Sequence, residues 1–235
     1  MLGPVGEFPG GFVMKQLWGA TAVAESNELG LRRDAIAYVS FDSTGGLLDT
    51  LGLFPGRELI ITEEDGRGVM GSPLFGRTSS STIRGDRLVE GSQDRFEVGE
   101  YGEDGDLLRL VRVLGQDLTV TAEDVEAYFR ARLDIVPQDQ QTRARADLEA
   151  KPVPLTRPAY GDLRSDPSGN LWAAAYAPYP ILPESWSVFG PEGWWLGEVG
   201  MPPRFYPWDF GGDWLLGVET DDLGVEYVVL YPLVK

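Results

Sequence analysis

The sequence contains no cysteine and no histidine. Without cysteine the chain has no disulfides, no thiolate nucleophile and no cysteine ligands for zinc. Without histidine it lacks the imidazole that commonly serves as a general base or a metal ligand near neutral pH. These two absences exclude much of ordinary hydrolase chemistry.

Basic residues are scarce relative to acidic ones. Among 235 residues there are 20 Lys and Arg against 37 Asp and Glu, which gives a formal net charge of -17. A protein that binds nucleic acid neutralises phosphates with clustered positive charge, whereas this chain presents a repulsive field. We therefore expect no nucleic-acid partner.

Long apolar segments are also missing. No stretch approaches the ~18 apolar residues of a membrane-spanning helix, and the longest apolar run, residues 227–234, is broken by Pro232. This predicts no membrane span. Residues 1–7 lack the basic and apolar regions of a secretory signal, so we expect either a cytosolic protein or an N-terminus that is not the natural one.

Turn residues and a repeated phrase are what the sequence has in abundance. It contains 30 glycines and 17 prolines. One pattern recurs at residues 41–48 (FDSTGGLL), 101–108 (YGEDGDLL) and 189–196 (FGPEGWWL): an aromatic residue, a short polar turn ending in glycine, and an apolar restart. Glycine adopts the positive φ of such turns at little steric cost, and the flanking apolar residues are typical of antiparallel strands. Each phrase therefore predicts a β-hairpin.

Further strand patterns fill the intervals between these hairpins. They cover residues 12–17, 58–62, 87–90, 170–174, 213–218 and 225–230. Together with the hairpins they predict three to four antiparallel sheets of about four short strands each. An all-β propeller of these blades is favoured, because each small sheet can bury its two apolar faces only against its neighbours. A two-sheet sandwich is the alternative, but it does not require the same phrase three times.

One segment has helical rather than strand periodicity. From residue 121 to residue 133 the apolar positions follow a helical spacing, and Thr121 with Asp124 predicts a capping pair. Residues 138–150 predict a second, weaker helix. We expect residues 121–150 to form a helical insertion on one blade of a single domain that spans residues 1–235. Such a helix either lies at a binding face or, as we favour, packs against the rim.

The order of several motifs resembles a known family. The motifs are residues 47–56 (LLDTLGLFPG), 73–77 (PLFGR), 85–87 (GDR), 121–128 (TAEDVEAY), 166–172 (DPSGNLW), 214–218 (WLLGV) and 223–228 (LGVEYV). In this order they resemble the uncharacterised bacterial six-bladed β-propeller proteins related to the NHL-repeat group, over nearly the whole chain. The family has no settled activity or catalytic residues to transfer.

The resemblance has implications for the extent and location of the protein. Members of the family are usually exported, which implies an extracytoplasmic location, although this chain shows no signal peptide. The chain then corresponds to the C-terminal three and a half to four blades of a longer, partial propeller. Its open ring would expose blade faces that invite association. A ring closed by its own termini is the alternative, with residues 225–233 pairing near residues 12–17.

Aromatic residues are the first group of candidate ligand contacts. Six of the seven tryptophans follow residue 170. Most are expected to fill the space between blades, but Trp194 and Trp195 are adjacent and would point to opposite faces of a strand, so that one of them is a candidate for ligand binding. Trp208 lies in a segment, residues 206–212, that we interpret as an aromatic loop. Exposed tryptophans of this kind would suit a carbohydrate.

Charged residues are the second group of candidates. Arg33 would face the central channel or form an ion pair at the rim. Asp86, Asp162 and Asp213 each lie near the predicted start of an inner strand, and their convergence would create a site for a divalent cation. We assign no metal ligand or cofactor from the sequence.

The favoured function is a non-enzymatic binding or interaction module. Its ligand would be an unknown small molecule, glycan or protein, bound at the loop face or in the central channel. Two alternatives remain open: a hydrolase or lactonase-like propeller enzyme that uses a carboxylate-bound divalent cation, and a carbohydrate-binding propeller.

Overall fold

The structure, a computed structural model, describes residues 1–17, 29–64 and 67–234. In these ranges the chain forms sixteen strands, arranged in four antiparallel sheets, and two short α-helices. The sheets follow one another along the chain, and we call them blades 1 to 4.

The strands of each blade are consecutive in sequence and in space. Blade 1 contains β1 (Leu2–Phe8), β2 (Gly11–Gln16), β3 (Gly30–Asp42), β4 (Leu47–Glu64) and β5 (Arg67–Gly71). Blade 2 contains β6 (Ser80–Arg84), β7 (Arg87–Gly91), β8 (Glu97–Tyr101) and β9 (Leu107–Arg112). Blade 3 contains β10 (Leu163–Ser165), β11 (Leu171–Ala174), β12 (Ser185–Phe189) and β13 (Trp195–Gly200), and blade 4 contains β14 (Phe205–Phe210), β15 (Trp214–Thr220) and β16 (Glu226–Pro232).

The first strands of the blades lie next to one another. Strand β6 contacts both β1 and β10, and the Leu163 amide of β10 donates to the Ser80 hydroxyl of β6 at 2.8 Å. Tyr206 of β14 donates to Asp162, the residue that precedes β10, at 2.6 Å. The four small sheets therefore have a propeller arrangement with β1, β6, β10 and β14 innermost. The predicted all-β propeller is confirmed, and the two-layer sandwich is not found.

The repeated phrase forms the turn between the third and fourth strands of the first three blades. Its glycines, Gly45, Gly105 and Gly193, have φ values of +87°, +81° and +82°. In each turn the glycine amide donates to the carbonyl three residues earlier, as Gly45 does to Asp42 at 3.0 Å. The same hydrogen bond recurs at Gly224 in the β15–β16 turn. The predicted hairpins are confirmed, and the structure adds this further copy.

Apolar side chains fill the space between neighbouring blades. The buried cluster between blades 1 and 2 contains Val13, Ile36, Tyr38, Leu51, Phe54 and Leu88. That between blades 2 and 3 contains Val89, Phe96, Val98, Val111, Leu163, Leu171 and Phe189. That between blades 3 and 4 contains Trp172, Trp186, Phe205, Phe210 and Leu215. Trp172 and Trp186 thus have the interblade packing role that we expected for most of the tryptophans.

The two helices predicted from periodicity are present, in the segment between β9 of blade 2 and β10 of blade 3. Helix α1 (Ala122–Asp134) begins after the N-cap Thr121, which forms a reciprocal capping box with Asp124. Helix α2 (Gln141–Glu149) follows it. Phe129 of α1 and Leu148 of α2 pack against the buried Leu74 and Phe75 in the segment between blades 1 and 2. Neither described helix has the length and apolar character needed to span a membrane.

Blades 1 and 4 are the two ends of the arrangement. Strand β16 pairs with β15, whereas β2 pairs with β1 and β3, so the closing pairing that we considered between the last strand and residues 12–17 is not formed. Between described residues no hydrogen bond or ion pair joins blade 1 to blade 4. The outer faces of these two blades leave Leu53 and Val228 70% and 78% exposed.

Candidate functional site

Polar side chains from all four blades meet beside the innermost strands. Lys15 of β2 places its Nζ 3.4 Å from the Ser79 carbonyl oxygen and 3.5 Å from Ser81 Oγ. On the opposite side, the Asp162 carboxylate accepts from the Tyr206 hydroxyl, and Arg164 lies 3.4 Å from the same oxygen. We call this group the central cluster; its members are Lys15, Ser79, Ser81, Glu90, Asp162, Arg164 and Tyr206.

The buried part of the central cluster is a chain of hydrogen bonds. The Tyr38 hydroxyl is 2.6 Å from Ser79 Oγ, which donates to Glu90 Oε1 at 3.0 Å. Burial raises the pKa of Glu90 to about 7, against the opposing effects of the Ser79 hydrogen bond and of Arg33 and Lys15. Burial also raises the pKa of Tyr38 to about 12.

The half-buried part of the central cluster contains two perturbed groups. Burial lowers the pKa of the Lys15 ammonium, although the Asp162 carboxylate acts in the opposite direction. Burial raises the pKa of Tyr206 to about 12, and its hydrogen bond to Asp162 adds to this shift. The central cluster therefore offers an amine and a carboxyl group whose proton affinities have moved toward neutrality, together with hydroxyl donors for a polar ligand.

The four charged residues predicted from the sequence are dispersed. Asp162 belongs to the central cluster. Asp86 lies in the exposed β6–β7 turn, 3.6 Å from Arg87 Nε, and Asp213 is exposed in the β14–β15 turn. Throughout the described ranges no group of three or more Asp or Glu side chains is placed to hold a metal ion. The convergence of the three aspartates, which the hydrolase alternative requires, is therefore not found.

Arg33 is occupied by contacts within the protein. Its guanidinium binds both carboxylate oxygens of Asp94 at 3.0 and 2.9 Å and donates to the carbonyl oxygens of Ser92 and Gly56. These contacts join blade 1 to blade 2. Of our two expectations for Arg33, the structure shows the ion pair.

A large cavity lies between the outer strands of blades 2 and 3. It has a volume of about 850 Å³, and both Trp194 and Trp195 line it. Trp194 is 76% exposed and Trp195 is 61% exposed. The expectation that only one of the pair would be exposed is therefore wrong. We call this cavity the tryptophan groove.

The exposure of both tryptophans has a local cause. Trp194 belongs to the turn before β13, so it is outside the alternation of the strand. Trp195 pairs with Phe189 at an irregularity where the register of β12 and β13 shifts. Because β13 is also the outermost strand of its blade, no further strand covers either indole ring.

Polar side chains surround the indole rings of the tryptophan groove. Arg109, Arg112, Gln116, Ser187 and Glu192 also line the cavity. Arg109 donates to the Pro191 carbonyl oxygen and lies 3.5 Å from Glu192, and Arg112 pairs with Glu97 at 2.5 Å. The groove thus combines flat apolar surfaces with hydrogen-bonding groups held by the neighbouring strands.

Trp208 lies away from this groove. It is 68% exposed at a register shift in β14, and its ring packs edge-on against Tyr206 with centroids 6.2 Å apart. The segment that we interpreted as an aromatic loop therefore consists mainly of strand β14, and Trp208 neighbours the central cluster.

Comparisons with known proteins do not identify a family. No protein-family model matches the sequence, and no curated protein matches it. Two structures of Hsv2 from Kluyveromyces lactis, one with complete loop 6CD, are similar over 98% of this chain and 72% of theirs, with 11% and 12% identity and TM-scores of 0.33. A putative 6-phosphogluconolactonase from Bacteroides uniformis is similar over 94% of this chain and 82% of its own, with 13% identity and a TM-score of 0.22.

Similarities at this level carry no argument about activity. The propeller arrangement of the chain rests on its own strand pairings. The relation to NHL-repeat proteins, the six-bladed parent and the bacterial origin stay predictions from the sequence.

Proposed function

We propose that this protein is a binding module that takes a carbohydrate chain into the tryptophan groove. The observation that supports this most directly is the exposure of Trp194 and Trp195 along one cavity of about 850 Å³. Large apolar side chains exposed together on a protein surface usually mark a site of interaction. The rings of two tryptophans offer the flat faces on which the C–H surfaces of sugar rings pack.

The polar lining of the groove is the second support for a carbohydrate. A sugar presents hydroxyl groups around each apolar ring face, and it needs donors and acceptors beside the aromatic surface. Arg109, Gln116, Ser187 and Glu192 supply both kinds of group.

The metal-dependent hydrolase alternative has weaker support. It required Asp86, Asp162 and Asp213 to converge, and two of these residues lie in exposed turns at other positions. The central cluster contains hydroxyl, amine and carboxyl groups, but many of these groups already bond to one another, whereas the two indole rings of the tryptophan groove are exposed. We therefore favour binding over metal-assisted hydrolysis.

The proposal is tested by replacing both indole rings. We expect the purified protein to bind at least one member of a broad panel of soluble oligosaccharides and to leave it intact, as measured by calorimetric titration and by chromatography of the sugar. Each aromatic contact contributes about 0.5–1.5 kcal/mol, so the Trp194→Ala/Trp195→Ala double variant should bind about tenfold more weakly or worse.

Trp208→Ala is the matched control. Trp208 is similarly exposed but does not line the groove, so its replacement should leave the affinity unchanged. A wild-type protein that binds nothing in the panel contradicts the proposal, as does an equal loss of affinity in Trp208→Ala.

A further inference from the structure

A second cavity lies where blade 1 meets the helical insertion. It has a volume of about 520 Å³ and is lined from three directions: by Arg57 of β4, by Tyr128 and Arg132 of α1, and by Tyr176 and Tyr179 in the segment between β11 and β12. We call it the arginine cavity. None of these residues lines the tryptophan groove.

Two arginines of this cavity have no acidic partner. The Arg57 guanidinium donates to the Ser72 hydroxyl, and the Arg132 guanidinium lies over the Tyr179 ring, 5.6 Å from its centroid. No described carboxylate forms an ion pair with either of them. A third cation, Lys151, donates to the Ser72 carbonyl oxygen at 2.9 Å. Arg57 and Lys151 therefore both bind Ser72, which brings their positive charges close together.

The neighbouring Arg77 shows that this lack of pairing is local. Arg77 lines the same cavity, but its guanidinium lies 3.4 Å from Glu58 and 3.4 Å from Asp94. Burial and the Arg132 guanidinium both lower the pKa of the Lys151 ammonium, while Asp147 opposes them. In a chain with a formal net charge of -17, cations that repel one another and lack carboxylate partners form a site that is favourable for an anion.

Two tyrosines lie beside the same space. Tyr128 and Tyr176 line the cavity, and neither hydroxyl has a hydrogen-bond partner among the side chains and backbone groups described. Burial is the main cause that raises the pKa of both phenols, so both remain protonated donors at neutral pH. Glu58 also lines the cavity, but its carboxylate accepts from the Arg77 amide at 2.8 Å and lies 3.4 Å from the Arg77 guanidinium. The site therefore presents donors of two kinds, and the carboxylate in its lining is already paired.

We propose that the arginine cavity binds a small phosphate monoester whose phosphate carries a flat ring. Arg57 and Arg132 donate charge-assisted hydrogen bonds to the phosphate oxygens, which such guanidinium groups bind in preference to a neutral ligand. Tyr128 and Tyr176 donate to the remaining oxygens. The ring packs against Tyr179, which is 71% exposed and lies at the mouth of the cavity.

Phenyl phosphate is the probe that tests this proposal. We expect saturable binding of one molecule per chain, measured by calorimetry and by the phosphorus NMR line width of the probe. Arg57→Gln and Arg132→Gln should each weaken binding at least tenfold. Inorganic phosphate should bind more weakly than phenyl phosphate, and equal affinities would overturn the assignment of a ring subsite.

The matched control is Arg130→Gln, which removes an exposed guanidinium from the same helix at a position that does not line the cavity. This variant should bind phenyl phosphate like the wild type. If an arginine variant does not fold, Tyr176→Phe removes a single oxygen atom and should still weaken binding. Failure of the wild type to bind phenyl phosphate, or equal losses in Arg130→Gln, overturns the proposal and leaves the carbohydrate proposal for the tryptophan groove untouched.

Discussion

The two interfaces that blade 2 forms with its neighbours each bury one glutamate. In one interface the carboxylate is paired with arginines, and in the other it is not. In the sheet, Glu90 lies opposite Gly99 and Glu100 lies opposite Val89. Because neighbouring residues of a strand point to opposite faces, Glu90 points toward blade 1 and Glu100 points toward blade 3. Both side chains are buried, with 5% and 0% exposure.

The charge of Glu100 is matched by arginines. Arg84 and Arg87 contact its two oxygens at 2.6 and 2.9 Å, and Arg109 lies 3.6 Å away. Arg84 also donates to the carbonyl oxygens of Gly169 and Gly190 at 2.6 and 2.7 Å. Since these two glycines belong to turns of blade 3, the arginine ties blade 2 to its neighbour. In this interface the ion pair between Arg84 and Glu100 is part of the connection between the two blades.

The charge of Glu90 has no such match. Among the described residues its side chain accepts one hydrogen bond, from the Ser79 hydroxyl. Arg33 and Lys15 lower its pKa through space, but Arg33 is bound to Asp94 and Lys15 lies beside Ser79 and Ser81. A buried carboxylate that is paired with cations is therefore costly to unpair, whereas one without such cations makes stability depend on pH.

Replacement of Glu100 is expected to have the largest effect on stability. Glu100→Gln keeps the shape of the side chain but leaves buried arginines without their carboxylate, and breaking a buried ion pair in this way costs about 3–5 kcal/mol. The free energy of unfolding from urea denaturation measures the loss.

Glu97→Gln is the control for this prediction, because Glu97 lies on the same strand and pairs only with the more exposed Arg95 and Arg112. Its cost should stay within about 1 kcal/mol. Equal losses in the two variants would show that the match of charge around Glu100 is not what stabilises this interface.

Replacement of Glu90 is expected to change how stability depends on pH. Its pKa is raised to about 7 from 4.5, so the folded protein binds this proton more tightly than the unfolded chain does. Stability then falls as pH rises between about 4.5 and about 7. Glu90→Gln removes this contribution, and its stability relative to the wild type should increase by up to about 3 kcal/mol across that range.

Unfolding titrations of both proteins at a series of pH values measure this difference. Glutamine at position 90 can still accept the Ser79 hydrogen bond, which keeps the comparison confined to charge. A difference between the two proteins that is the same at all pH values would contradict the assignment of a raised pKa to Glu90.

The outer strands and the helices of this fold can be predicted from the sequence, whereas the inner strands cannot. The hairpins around Gly45, Gly105 and Gly193 alternate large apolar residues around a turn, and α1 has a helical period and a capping box. The four innermost strands have no such pattern: LGPVGEF, SSTIR, LRS and FYPWDF. The first and last of these strands each contain a proline, which disfavours a strand prediction, and the other two consist mainly of polar residues.

The same difference explains which site residues the sequence could reveal. Trp194, Trp195 and Asp162 were identifiable because of their residue types. Most of the central cluster comes from or adjoins the innermost strands, whereas the strands that we predicted as inner ones after Asp86 and Asp213 are β7 and β15, the second strands of their blades. The sequence contains one sign of the central cluster. Lys15 lies on the same face of β2 as the buried Val13, and Glu90 lies on the same face of β7 as the buried Leu88. A charged residue on the apolar face of a predicted strand marks a polar cluster, but its partners come from other blades.

Arg33→Gln is expected to have the smallest effect of the three, with a destabilisation of about 1–2 kcal/mol. Arg33 joins blade 1 to blade 2, but the Asp94 side chain is 50% exposed and stays hydrated when the arginine is lost. Because Arg33 also lowers the pKa of Glu90, its removal should shift the pH range in which stability falls to higher values. Arg95→Gln, which removes a 74% exposed side chain, should cause neither change. An unchanged pH range in Arg33→Gln would mean that the two charges at this interface are too well screened to interact, and that burial alone sets the proton affinity of Glu90.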